Sequence, residues 1–203
     1  MKNNSSTGKL TLGSRLALGF GVLILLMIAL NVLGISRVSS INSGLATIGD
    51  VNSVKQRYAI NFRGSVHDRA ISLRDVTLVP TDAKVQAEID LIQKLAGDYA
   101  ASAGPLNTMI AREDTTAEER AALAKIQEVE SRALPLSAKV IELRQAGKNE
   151  EAIRVLQEQA RPVYVEWLAS INRLIDLEEV KNKAESAAAR DVAQGFQVLM
   201  LAV

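Results

Sequence analysis

Five cationic or ionisable side chains, Arg57, Arg63, His67, Arg69 and Arg74, crowd one short stretch of this chain. On a helix each residue advances by about 100°, so Arg63, His67 and Arg74 fall within about 40° of one another, while Arg57 and Arg69 point elsewhere. Two guanidiniums on one stripe present paired N–H forks that match carboxylates, which a lone ammonium does less well. The same stripe also reads as a solvated face, neutralised by Asp68, Asp75 and acids on neighbouring helices.

Other chemistry is scarce. His67 is the single histidine, so a two-histidine metal centre is excluded, and the absence of cysteine removes disulfides, thiolate ligands and thiol nucleophiles together. The twelve glycines are scattered and form no phosphate-cradling loop, and no serine sits in a Gly-x-Ser-x-Gly turn. The acid pairs Glu118-Glu119, Glu150-Glu151 and Glu178-Glu179 read as helix-start or polar-face residues that cap and solvate. The chain therefore reads as a non-enzyme with no metal and no cofactor. A formal net charge of +1 gives no electrostatic case for nucleic acid.

The elements that must position the cations follow from composition. Hydrophobic residues make up 48% of the chain and aromatics only 3%, which favours Ala/Leu/Val/Ile-rich helices over sheet sandwiches. No charge lies between Arg15 and Arg37. Residues 16–36 span roughly 30 Å as a helix, the thickness of a hydrocarbon core. Lys2, Lys9 and Arg15 precede them and no acid appears before Asp50, so the positive-inside rule makes residues 1–15 a cytoplasmic tip. The stretch is too long for a cleaved signal peptide and reads as an uncleaved anchor. Residues 195–203 are apolar and read as the first turns of a second membrane helix, leaving 37–194 as one external domain.

Punctuation divides that domain into four helices. The first runs from the membrane to Val79-Pro80, where proline disfavours helix in the residue before it. Thr81 caps the second, which ends near Arg112 and is interrupted at Gly104-Pro105. Thr115 with Glu118 and Thr116 with Glu119 form two overlapping capping boxes for the third, which closes at Ala146-Gly147. Asn149 opens the fourth, with Glu150 and Glu151 at its positive end. Apolar residues recur at three and four positions throughout, which implies an all-α, antiparallel up-down-up-down four-helix bundle flanked by transmembrane helices. By helical rise, Arg74, Arg69 and Arg63 lie roughly 9, 16 and 25 Å from the bundle tip, and Gln157, Arg161 and Tyr164 of the fourth helix roughly 12, 18 and 22 Å. These six side chains are therefore candidates for a common pocket.

The basic tip, the anchor, Asn61-Phe62-Arg63, Ser72-Leu73-Arg74-Asp75-Val76-Thr77-Leu78 and Gly147-Lys148-Asn149-Glu150-Glu151-Ala152 with Leu156 and Pro162 together resemble bacterial methyl-accepting chemotaxis receptors with a four-helix-bundle sensing domain. The resemblance implies a homodimer in the bacterial inner membrane, with the sensing domain in the periplasm and a cytoplasmic signalling region downstream. It implies a small anionic metabolite held between subunits by first-helix arginines, here Arg63, Arg69 and Arg74 with His67, and by fourth-helix residues, here Gln157, Arg161 and Tyr164. Ala152 stands near where the aspartate receptor places a binding tyrosine. An organic acid such as a di- or tricarboxylate is therefore expected, with Arg63 and Arg74 clamping carboxylates and Tyr164 supplying a hydroxyl. The alternatives are the input domain of a sensor histidine kinase or cyclase, or a membrane-anchored helical adaptor without a metabolite.

Overall fold

The computed structural model describes residues 11–202. Residues 1–10 of the expected tip and Val203 of the expected second membrane segment lie outside the described residues. The chain divides into two compact units, one of Met1–Leu45 with Ala187–Val203 and one of Ala46–Ser186.

In the first unit, α1 (Leu12–Ala46) has no buried residue, and Leu16, Leu18, Phe20, Leu23 to Ile28, Val32 and Ile35 are all exposed. Water cannot solvate such a cylinder cheaply, and lipid can. The continuous helix from Leu12 to Leu78 is long and apolar enough to cross a membrane. Gly34 lies against the ring of Phe196, where an added Cβ would sit 3.4 Å from Cζ.

The second unit is an all-α four-helix bundle with antiparallel neighbours. Its first member is α2 (Ser53–Leu78), joined to α1 by a π-helical turn, Thr47–Asn52. Then come α3 (Asp82–Ile110), α4 (Ala117–Gln145) and α5 (Asn149–Val155), which passes through a second π-helical turn, Leu156–Ala160, into α6 (Arg161–Ala202). The core follows an alternating four–three spacing. Ala59, Phe62, Val66, Leu73 and Val76 supply it from α2, and Ala160, Tyr164, Trp167, Ile171 and Leu174 supply it from the fourth member. That spacing is the coiled-coil seam by which helices of a bundle interlock.

Most helix ends form where the sequence places them. α2 stops at Leu78 with Val79 extended before Pro80, and the Thr81 hydroxyl accepts from the Lys84 amide. Arg144 of α4 donates to the carbonyls of Val76 and Val79, the orphan acceptors at the end of α2. Gly147, at φ +75°, closes α4, with the Lys148 amide reaching the Leu143 carbonyl.

Two expectations are corrected. α3 runs through Gly104 and Pro105 unbroken, because both face solvent and the carbonyl freed by proline can be hydrated there. Of the two capping boxes only Thr116 with Glu119 forms, whereas Thr115 is buried and its hydroxyl donates to the Met109 carbonyl. The fourth helix begins at Asn149, as expected, with Lys148 before it and no side-chain cap.

The π-helical turn at Leu156–Ala160 has a local cause. Pro162 has no amide to reach Glu158 and its ring would crowd that carbonyl, so the helix widens and the Arg161 amide bonds Leu156 instead. The seam records the inserted residue: Ala152, Leu156, Ala160 and Tyr164 step by four each time, where an unbroken seam would alternate four and three.

Candidate functional site

A cleft of about 540 Å³ lies between the later turns of α2 and the fourth member of the bundle. That volume lies in the range of small-molecule sites. His67 and Arg74 border it from α2, Gln157 from the π-helical turn, and Arg161 and Tyr164 from α6. Ala70, Ile71, Leu73, Leu156, Val165 and Leu168 supply its apolar wall. The π-helical turn brings Gln157 and Arg161 to this cleft, because the extra residue resets the face that α6 presents.

Two expected residues lie elsewhere. Arg63 is exposed on α2 and does not line the cleft. Arg69 is only 3% exposed and belongs to the core, its guanidinium 5.2 Å from the centroid of the Trp167 ring. Tyr99 shares that environment, stacked on Phe62 at 4.1 Å and edge-on to Trp167, with its hydroxyl donating to Glu130 at 3.1 Å. Burial raises the pKa of the Glu130 carboxyl, against the opposing pull of the Tyr99 hydrogen bond and the Arg69 charge. Arg69 thus balances a carboxylate inside the bundle and covers an indole face.

The cleft carries excess positive charge. Arg74 is paired with its neighbour Asp75 at 2.9 Å, and His67 Nδ1 lies 3.2 Å from Asp68, both pairs being open to water. Arg161 is exposed and, among the described residues, has no carboxylate within ion-pair distance. It is the cleft's unneutralised cation.

Tyr164 does something other than expected. The Ser137 hydroxyl donates to the Ala133 carbonyl at 3.0 Å and lies 2.9 Å from the Tyr164 hydroxyl. With its one proton used, Ser137 can only accept from tyrosine. The Tyr164 proton is therefore committed inward, and the residue, 4% exposed, gives the cleft a ring for a floor rather than a donor. Tyr164→Phe is expected to cost about 0.5–1.5 kcal/mol in chemical unfolding, the net worth of one hydrogen bond, while leaving ligand affinity within about twofold. A large loss of affinity with unchanged stability would contradict this placement.

A second polar group sits at the other end of the bundle, near the α3–α4 connection. Lys55, Glu119 and Glu178 are buried completely or nearly so, at 1%, 0% and 0% exposure. Glu119 Oε1 accepts from Lys55 at 2.8 Å and from Lys181 at 2.9 Å, while Oε2 accepts from the amide and hydroxyl of Thr116. Burial opposes the charge on Glu119, but hydrogen bonds from Glu178, Lys55, Thr116 and Lys181 outweigh it and hold its pKa well below the usual carboxylate range. Glu119 caps α4 as expected, but it and Glu178 are buried rather than solvated; their neighbours Glu118 and Glu179 are the exposed ones.

A family model described as a four helix bundle sensory module for signal transduction matches residues 9–193. The chain belongs to this family. No curated protein matches it. A sensory module signals only where occupancy of a site is felt by the helices around it. The cleft meets that requirement: its floor, Tyr164, packs against Trp167 at 5.7 Å, and Trp167 touches both Tyr99 and Arg69 in the core. Neither the core position of Arg69 nor the polar group around Glu119 was foreseen from charge alone. The signal that could have found them is register: Lys55 and Arg69 fall in the four–three spacing of Ala59, Phe62, Val66, Leu73 and Val76.

Proposed function

We propose that this sensory module belongs to a transmembrane chemotaxis receptor and that its cleft binds a small metabolite with two or three carboxylates. The observation that supports this reading is the pair of guanidiniums, Arg74 and Arg161, brought to one cleft from two helices, with no acid on Arg161. Each is a planar fork that can grip a carboxylate bidentately, and a ligand with two such groups spans both helices. The apolar wall fits the carbon skeleton between them. Gln157 and the rim imidazole of His67 suit hydroxyl or carbonyl substituents.

In this reading α1 crosses the inner membrane, the tip is cytoplasmic, the bundle is periplasmic, and a cytoplasmic signalling region follows a second crossing. Two copies pair along α2, where Ile60, Ile71 and Leu78 leave apolar side chains exposed. The ligand signals only if it prefers one of two helix arrangements, by as much as its affinities differ. The π-helical turn that carries Gln157 supplies the slack, since π-bulges recur at functional segments of helices.

A thermal-denaturation panel of dicarboxylates, tricarboxylates, amino acids and amines tests the ligand class. A carboxylate at about one hundred times its dissociation constant should add about 2.7 kcal/mol of stability. Stabilisation by amines alone, or by nothing, would overturn the assignment.

A further inference from the structure

We propose that the buried group of Lys55, Glu119, Glu178 and Lys181 is a proton-responsive site, in which loss of one proton from Glu178 draws Lys181 off Glu119 and changes how the start of α4 sits against α6. The site is independent of the cleft. Lys55 and Arg74 are roughly 29 Å apart along α2 at the standard helical rise.

The geometry is asymmetric. Both ammonium groups bond the same oxygen of Glu119, which also takes the Thr116 amide and hydroxyl on its other oxygen. Glu178, fully buried, has neither oxygen in a hydrogen bond with a donor. A buried carboxylate without donors is costly, whereas a carboxylic acid in the same place can donate to Glu119. The arrangement is therefore that of a neutral Glu178. The charged groups acting on it are Glu119 from α4, Lys55 from α2, and Lys181 on its own helix. Burial, then the hydrogen bond and charge of Glu119, push the Glu178 carboxyl up to about 8, against the two lysines.

A second arrangement is within reach. Lys181 is 30% exposed, and its Nζ lies 2.9 Å from Glu119 but only 3.7 Å from Glu178 Oε2. When hydroxide removes the Glu178 proton as water, the new carboxylate loses its bond to Glu119 and repels it. Lys181 is the group free to follow. Lys55, at 1% exposure, stays on Glu119. The neutral acid beside Glu119 thus gives way to two ion pairs, Lys55 with Glu119 and Lys181 with Glu178, and the two like-charged carboxylates push their helices apart. Glu119 anchors the first turn of α4 through its capping box, so the displacement acts on that helix end directly.

The linkage has a definite sign. The folded pKa of Glu178 is raised, so its contribution to stability is fully present below the ordinary glutamate range and is lost as pH rises toward about 8. Glu178→Gln, which mimics the neutral acid, should abolish that loss.

The test uses the full chain in phospholipid nanodiscs, with 13C-labelled glutamate carboxyls and, because native cysteine is absent, spin labels at Glu118→Cys and Lys183→Cys. One carboxyl resonance should titrate with a midpoint of about 8 and vanish in Glu178→Gln. The label separation should change between about pH 6.5 and about pH 9.5, and stay at its low-pH value in Glu178→Gln. Lys181→Met, which removes the ammonium that moves, should raise the midpoint further; it carries the test if Glu178→Gln loses helicity by circular dichroism. A Glu178 carboxyl already ionised at the lower pH, a separation that does not respond, or a response surviving Glu178→Gln would each overturn the proposal.

Discussion

Lys55→Met is expected to cost about 3–5 kcal/mol of stability, the loss seen when one partner of a buried ion pair is removed and the other is left behind. Methionine matches the length of the lysine stem, so packing changes little and the charge is what disappears. Glu119 keeps Lys181 and Thr116 but loses its shortest ammonium contact, 2.8 Å and fully dry. The pH dependence separates this cause from simple misfit. Glu119 is held below the usual carboxylate range, so its contribution is present above that range and lost as pH falls through its folded value. Removing Lys55 moves that value upward. The gap between wild type and variant in urea unfolding should therefore be widest at neutral pH and close in acid. A cost below about 1 kcal/mol at neutral pH would show that Lys181 alone satisfies the carboxylate.

Trp167→Ala should be comparably severe, about 3–5 kcal/mol, the usual cost of deleting a fully buried aromatic side chain. Trp167 is 0% exposed and touches three groups that depend on it: the edge-on Tyr99, the tilted Tyr164 and the Arg69 guanidinium. The cavity left behind exposes Arg69, a cation whose Nε already lacks a hydrogen-bond partner. Water will enter beside it, so the variant should show faster amide exchange along α2 and α6 around residues 69 and 167 than elsewhere in the bundle. Because Tyr164 floors the cleft, ligand affinity should fall as well. Loss of stability without loss of affinity would separate cleft from core and argue against Trp167 as their link.

Both predictions concern residues that composition assigns poorly. The helix ends were readable because each has a short-range cause: Pro80 after Val79, the Thr81 and Thr116 hydroxyls, the left-handed Gly147. The bundle was readable because the four–three spacing of apolar residues survives over long helices. Charged residues on that spacing were harder, since an exposed charge is the common case and one helix says nothing of what faces it. Lys55, Arg69, Glu119 and Glu178 are buried because partners on other helices neutralise or cover them. Of the cleft residues, Arg74, Gln157, Arg161 and Tyr164 were legible from their depths along two helices, but depth does not give direction. Hence Arg63 and Arg69 lie off the cleft, and the Tyr164 hydroxyl turns to Ser137. The π-helical turns were invisible to periodicity, although Pro162 gave a local cause for the second.

Cleft and buried ionic group occupy opposite ends of the same bundle and share α2 and α6. One end offers solvent a guanidinium, that of Arg161, with no carboxylate partner among the described residues; the other hides an ionic group that a single proton can rearrange. In the proposed reading the first reads a metabolite, and the second sets the background on which that reading is made.

Isothermal calorimetry of the full chain with di- and tricarboxylates, repeated in Arg74→Ala and Arg161→Ala, tests the central claim most directly. A hydrogen bond to a charged group is worth about 1.5–3 kcal/mol, so each substitution should weaken binding about 10- to 100-fold while circular dichroism stays helical. Undiminished carboxylate binding in both variants would contradict the account.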